Sequence, residues 1–150
     1  MLGLERQHRV LEELLARHQV ALIERRSADA TRLFGEYAAG LTRHIEFEER
    51  HLLPRCDLLE GPRWSDTVYR AEHRRIEGLM LGTAERLRRA GPAQISSLML
   101  IALLDAERTF KHPVEHHHTR EEQALFAELR HARAPIRAVR AERTASGTDS

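Results

Sequence analysis

One pattern occurs twice in this chain, as His44-Ile45-Glu46-Phe47-Glu48-Glu49 and as His117-His118-Thr119-Arg120-Glu121-Glu122. In each stretch a histidine precedes a glutamate by four residues. On an α-helix this spacing places both side chains on one face, about one turn apart. A metal-sized cavity can then receive an imidazole and a carboxylate from the same helix. Because the pattern occurs twice, the sequence predicts two metals.

Working outward from these stretches, apolar residues recur with the three- and four-residue steps of a helix seam packed in a bundle. The four stripes are Leu4, His8, Leu11, Leu15, His18 and Leu22; Leu33, Tyr37, Gly40, His44, Phe47, Glu48 and His51; Tyr69, His73, Ile76, Met80, Thr83 and Leu87; and Leu103, Ala106, Phe110, Val114, His117, Glu121 and Leu125. We place the breaks near Ser27-Ala28-Asp29, Gly61-Pro62 and Gly91-Pro92, and Ser65 or Asp66 can cap the third helix. No strand pattern is visible. We therefore predict an all-α, antiparallel up-down-up-down four-helix bundle.

The chain has the length of one domain, with 150 residues of which 41% are hydrophobic. We expect the bundle to occupy residues 1–134 and residues 135–150 to form a flexible C-terminal tail, since the helical pattern fades there. The 24 basic and 23 acidic residues nearly cancel, which disfavours nucleic acid and acidic membrane surfaces as partners. No apolar run suits a leader or a membrane span. With Cys56 as the only cysteine, we expect a cytoplasmic protein whose metal ligands are histidine and carboxylate.

Counting residues from the first two turns shows which side chains lie level along the bundle. His8 and His44 are at similar distances from the first turn, whereas His18 lies ~15 Å along the axis from His8 at 1.5 Å per residue. By the same count across the second turn, His73 is level with Glu48. Each of the first three helices thus offers a candidate ligand at one height.

The third turn fits this count less well, because His73 and His117 are offset by several residues. A long third loop or a bend at Pro113 would absorb the difference. The predicted metal ligands are then His8, His44, Glu48, His73, His117 and Glu121. Four imidazoles and two carboxylates suit two metals, with iron favoured and zinc or manganese as rivals. Burying these groups without metal would cost many kcal/mol.

The order of these motifs, a histidine, then H-x-x-x-E, then Glu72-His73, then H-x-x-x-E followed by Leu125-Phe126, resembles the hemerythrin-like, or HHE cation-binding, domain family over about residues 4–130. The resemblance implies a four-helix bundle with a non-haem di-iron centre bridged by an oxo or hydroxo group. It also implies bridging carboxylates from Glu48 and Glu121. One iron would then be held by His8 and His44, and the other by His73 and His117.

Two departures from the family pattern matter. Oxygen-carrying members usually have a further histidine four residues after His73, where this chain has Glu77, and this argues against simple oxygen carriage. On the fourth helix the pair can be read as His117 with Glu121, or one residue later as His118 with Glu122. We favour the first reading, because aligning Glu48-Glu49 on Glu121-Glu122 also places Leu53 opposite Phe126.

The functional hypothesis is a di-iron protein that binds or senses O2, NO or peroxide, or handles iron. One alternative is an oxidoreductase that reduces peroxide or O2, which an oxygen-rich shell including Glu77 would favour. Another is a structural metal-binding module that contacts a protein partner. His18 and His51 are interpreted as hydrogen-bonded core residues or as partners that support metal ligands. No organic substrate pocket is indicated.

Overall fold

The computed structural model describes residues 2–59, 61–91 and 95–132. The long helices are α1 (Leu2–Ile23), α2 (Ser27–His51), α3 (Asp66–Ala90) and α4 (Ser97–Arg120). A short 3-10 helix (Leu53–Leu58) follows α2, and α4 continues through a π-helical turn (Glu121–Leu125) into α5 (Phe126–His131). None of the described residues forms a strand. The all-α fold is as predicted, and the long helices form a four-helix bundle.

Contacts between α1 and α2 step outward from the turn that joins them, as antiparallel helices require. Near the turn, His18 Nδ1 donates a hydrogen bond to the carbonyl oxygen of Ala30 at 2.7 Å. Farther from the turn, the rings of His8 and His44 meet with Nε2 atoms 2.9 Å apart. The level count made from the sequence therefore holds across this pair of helices.

The α1–α2 turn and the segment before α4 are tied together at one end of the bundle. Arg25 adopts a positive φ of 62° in the turn, a conformation that non-glycine residues seldom take. Its guanidinium donates to the carbonyl oxygens of Ile95 at 2.7 Å and Ser96 at 3.1 Å. These hydrogen bonds offset the backbone strain and fix the two connections against each other.

The buried apolar side chains form two clusters with the polar seam positions between them. One cluster fills the bundle toward the α1–α2 turn and includes Leu11, Ile45, Ile76 and Val114. The other, which we call the end cluster, comprises Leu4, Leu52, Leu53, Cys56, Tyr69, Leu125, Phe126 and Leu129. On each long helix and its continuation, the predicted metal ligands fall between a member of one cluster and a member of the other. A polar layer is thus enclosed by apolar layers on both sides.

The second stripe was partly wrong near its end. Phe47 is 45% exposed and His51 is also exposed, because Glu48 takes the inward position on this turn. The helix also ends at His51 rather than at Gly61-Pro62, and Pro54 lies in the first turn of the 3-10 helix. Proline lacks the N–H that would continue an α-helix, so its position marks the true end.

The remaining connections agree better with the sequence. Every residue of the third stripe is buried, and α3 ends at Ala90 with Gly91 at a φ of 66°. Helix α4 starts only at Ser97 and runs through Pro113, so a longer connection absorbs part of the predicted offset. The predicted tail from residue 135 lies outside the described residues. No helix in the described part of the chain has the length and apolar character needed to cross a membrane.

Candidate metal centre

The six predicted ligands converge in the polar layer of the bundle, and all of them are buried. They form two groups, His8, His44, Glu48 and Glu121 in the first, and Glu48, His73, His117 and Glu121 in the second. Within each group one nitrogen or oxygen atom per residue lies within 4.8 Å of the others. Both glutamates belong to both groups, so the two groups share their carboxylates.

In the first group the ring nitrogens and carboxylate oxygens are close. His8 Nε2 is 2.9 Å from His44 Nε2 and 3.4 Å from Glu121 Oε2. The same nitrogen of His44 lies 3.1 Å from Glu48 Oε1. The first group therefore receives one oxygen from each glutamate.

The second group repeats this arrangement on the other side of the two carboxylates. His73 Nε2 is 3.1 Å from His117 Nε2 and 3.5 Å from Glu48 Oε2. His117 Nε2 lies 3.1 Å from Glu121 Oε1. Each glutamate thus directs one oxygen toward each pair of histidines, which is the arrangement that bridging carboxylates need.

The outer nitrogen of each histidine is held by an oxygen from another element. The pairs are His8 Nδ1 with Glu122 Oε1 at 2.8 Å, His44 Nδ1 with Gln7 Oε1 at 3.0 Å, His73 Nδ1 with Glu49 Oε1 at 3.0 Å, and His117 Nδ1 with Glu72 Oε2 at 3.0 Å. Carboxylate and amide oxygens accept hydrogen bonds, so each Nδ1 carries a proton and donates. In the neutral ring the inward Nε2 atom then presents its lone pair, as metal-binding histidines do.

This donor set fits cations. Lone pairs of two imidazoles at 2.9 and 3.1 Å repel each other unless a proton or a metal ion lies between them. The carboxylate oxygens of Glu48 and Glu121 are fully buried and accept no hydrogen bond within the described structure. Buried carboxylates without a counter-charge are strongly unfavourable. Nitrogen and oxygen donors suit iron, zinc and manganese, while Cys56 lies in the end cluster.

Without metal, protons on the histidines supply part of the positive charge that the buried carboxylates need. Burial disfavours the charged form of His44, but its contacts with Glu121 and Glu48 outweigh burial and raise its pKa to about 9. The same balance, with Glu49 as an additional partner, raises the pKa of His73 to about 10. Burial alone would raise the pKa of Glu121, yet His117, His44 and His73 hold it well below its usual range. The pocket attracts positive charge.

The glutamates of the two readings of the fourth helix differ in burial. Glu121 is fully buried between the two groups, whereas the side chain of Glu122 is 42% exposed and supports His8 from outside. His118 is buried as well, and its ring stacks on that of His8 with centroids 3.8 Å apart and an interplanar angle of 5°. Burial and the neighbouring imidazoles lower its pKa to about 2.

Three other residues considered from the sequence, His18, His51 and Glu77, lie outside the two ligand groups. His18 is buried and contacts Glu107, with His18 Nε2 2.7 Å from Glu107 Oε1. His51 is exposed, and its ring centroid is 4.9 Å from that of Phe47. Glu77 is half-buried and belongs to neither ligand group.

Sequence reasoning missed the hydrogen-bonding role of Gln7, Glu49 and Glu72, and the inward position of Glu107. A signal for the first three was present, because each is the sequence neighbour of a predicted ligand. On a helix such a neighbour points about a quarter turn away, toward the adjacent helix. The side chain of such a neighbour can therefore reach the outer nitrogen of the histidine on the adjacent helix.

Fold and site together define a four-helix bundle whose buried histidines and glutamates are compatible with a metal-binding protein. Residues 2–63 match the family model described as Hemerythrin HHE cation binding domain. The predicted resemblance to this family is confirmed over that part of the chain, which carries His8, His44 and Glu48. No match was found among curated proteins or among solved structures.

Proposed function

We propose that this protein holds a non-haem di-iron centre that interacts with O2, NO or peroxide. The observation that carries the proposal is the pair of His2Glu2 groups that share both carboxylates. Sharing two negative charges between two sites offsets the repulsion between two cations. A site for one structural zinc ion would need only four ligands, whereas six converge here.

In this proposal His8 and His44 would hold one iron, His73 and His117 would hold the other, and the carboxylates of Glu48 and Glu121 would contribute to both. Iron would supply reversible one-electron chemistry and coordination positions for a small ligand. The chain's own contribution is to fix the four Nε2 lone pairs inward through the Nδ1 hydrogen bonds. The end cluster excludes bulk water from one side of the polar layer.

The binding or sensing role is favoured over oxidative turnover by the position of one residue. An oxygen-rich metal shell would require the carboxylate of Glu77, and Glu77 lies outside both groups. With four imidazoles and two shared carboxylates, the shell is rich in neutral nitrogen donors. We therefore place ligand binding first and catalysis second.

Elemental analysis of untagged protein tests the proposal. Cells are grown with both iron and zinc, and the protein's optical spectrum is recorded after anaerobic reduction and again after exposure to air. We expect close to two irons per chain and absorption bands that bleach on reduction and return in air. Glu121→Ala serves as the control and is expected to lose both irons. One zinc per chain, or a folded metal-free bundle, would contradict the proposal.

A further inference from the structure

His118 is a buried histidine without a hydrogen-bond partner. It is 3% exposed, and neither Nδ1 nor Nε2 makes a hydrogen bond within the described structure. A buried imidazole that lacks partners is costly, so its nitrogens are expected to meet something that the polypeptide does not supply. The ring lies on the side of the first metal group, stacked on His8 and 5.8 Å from the ring centroid of His44.

Distances alone would admit His118 as a third imidazole ligand beside His8 and His44. The ring planes argue against it. A metal bonds to imidazole along a lone pair that lies in the plane of the ring, at about 2.0–2.1 Å. The rings of His8 and His118 are parallel and stacked, so a cation in the plane of one lies well outside the plane of the other. His118 therefore stacks on the ring of His8 and is not oriented to share a cation with it.

A cavity of about 250 Å³ between α1 and α4 reaches His118 from the surface. Exposed residues such as Glu12, Ala16 and Glu115 lie at its rim, and His118 and Tyr37 lie on its inner wall. The hydroxyl of Tyr37 is also buried and without a hydrogen-bond partner. A cavity lined by apolar side chains such as Leu11, Leu15 and Val114, with unpaired polar groups on its inner wall, is typical of a small-molecule site.

We infer that His118 donates a hydrogen bond to a small molecule that enters through this cavity and binds the metal held by His8 and His44. The inference rests on the proposed function. The chemical class is a molecule of two or three atoms with a lone pair at its free end, such as O2, NO or azide. A neutral imidazole always has one N–H to donate. Tyr37 lies on the same wall and offers a second donor.

Azide binding to the iron-loaded protein, followed by optical titration, tests the role of His118. The variant His118→Phe keeps a flat ring to stack on His8 but has no donor. We expect it to retain both irons and to bind azide about 5-fold to 30-fold more weakly, the usual effect of losing one buried hydrogen bond. His118→Gln restores an N–H and is expected to recover part of the affinity.

Two results with His118→Phe would overturn the inference. Loss of one iron per chain would make His118 a ligand, and unchanged azide affinity with both irons present would mean that it touches no bound molecule. Failure of the proposed function would be visible separately, because the unmodified protein would then contain no iron pair.

The cavity itself is tested by the rate of azide binding. Ala16→Trp narrows the rim, and we expect it to slow azide association in stopped-flow measurements while iron content is unchanged. Ala39→Trp, at an exposed position of α2 away from the cavity, is the matched control. Equal association rates in the two variants would show that small molecules enter elsewhere and would overturn this route.

Discussion

Adjacent glutamates on the π-helical turn have different roles because the turn points one inward and the other outward. Glu121 lies among all four inward nitrogens, whereas Glu122 accepts a hydrogen bond from His8 Nδ1 at 2.8 Å. In the proposed centre the first would contact both metals, and the second would only orient one ligand. Removing them should therefore have effects of different size.

We expect Glu121→Ala to abolish binding of both metals, since each group loses a shared carboxylate. Glu122→Ala should retain both metals but bind the one at His8 about 10-fold to 100-fold more weakly, as is usual when the partner of a ligating histidine is lost. Titration with iron(II) in the presence of a competing chelator measures both effects. The reverse order of severity would assign the bridging role to Glu122 and refute our reading.

The buried pair of His18 and Glu107 lies outside the polar layer and is satisfied without metal. His18 donates from Nδ1 to the carbonyl oxygen of Ala30, and Glu107 also accepts from Gln19 at 3.2 Å. Both His18 and Glu107 are fully buried. Removing one member leaves the other buried without its partner, which typically lowers the free energy of unfolding by about 3–5 kcal/mol.

We therefore expect Glu107→Leu to lower the free energy of unfolding by about 3–5 kcal/mol without changing metal content. Glu107→Gln should cost much less, because its amide can donate to His18 Nε2. The double variant His18→Leu, Glu107→Leu should recover much of the loss. Urea unfolding monitored by circular dichroism gives these values. Loss of metal in Glu107→Leu at full helicity would contradict the separation of this pair from the site.

At the level of the helix, the sequence predicted best where one stripe runs unbroken. All residues of the Tyr69–Leu87 stripe are buried because α3 is regular along its length. The six candidate ligands follow the same helical period, and the structure brings them together. The end of α2 was misjudged, since a 3-10 helix and Pro54 intervene before the next connection. Glu107 was overlooked because a charged residue in a helical stripe is usually interpreted as exposed, and its partner His18 was not known from the sequence.

The π-helical turn could not be predicted from periodicity, yet it explains the spacing after Glu121. The N–H of Phe126 donates to the carbonyl oxygen of Glu121, five residues earlier. Such a turn accommodates one extra residue within an α-helix. With Gln123 removed, Leu125, Phe126 and Leu129 would follow Glu121 by three, four and seven residues, which is the spacing of a regular buried face.

We predict that deleting Gln123 separates packing from metal binding. The end cluster should persist, and the free energy of unfolding of the metal-free protein should stay equal or rise, because a regular helix replaces the π-helical turn. Metal should be lost to a chelator about 10-fold faster, since Glu121 and Glu122 are displaced. Gln123→Ala, which keeps the turn, is the control. Lower stability with unchanged metal retention would show that the turn serves packing instead.

For the molecule as a whole, apolar layers on both sides of the polar layer have a consequence for folding. The larger cluster joins all four long helices without using a ligand residue, so the bundle should fold before it binds metal. Metal binding then adds stability through mass action on the folded state. We expect the stripped protein to remain helical and to unfold at a lower urea concentration than the loaded protein. Loss of helical structure on stripping would contradict this order.

The pH dependence of the metal-free protein follows from the raised pKa values of two ligands. His44 and His73 have pKa values of about 9 and about 10, above the ordinary value of 6.5. A group whose pKa is raised on folding binds protons more tightly in the folded state. Its contribution to stability is therefore fully present below about pH 6.5 and is lost as the pH rises through about 9 to 10.

Urea unfolding of the stripped protein between pH 6 and pH 10 should thus show a falling free energy of unfolding, and His44→Gln should flatten part of the fall. Glu121 has a depressed pKa, so its contribution to stability is lost only as the pH falls below the ordinary value of 4.5. It does not change the free energy of unfolding between pH 6 and pH 10. In the metal-loaded protein the free energy of unfolding should instead fall as the pH is lowered, because protons compete with metal for the same nitrogens. A pH-independent stability in both forms would mean that protons and metals do not share these positions. If the free energy of unfolding changes with pH in opposite directions in the stripped and loaded forms, protons and metals occupy the same positions.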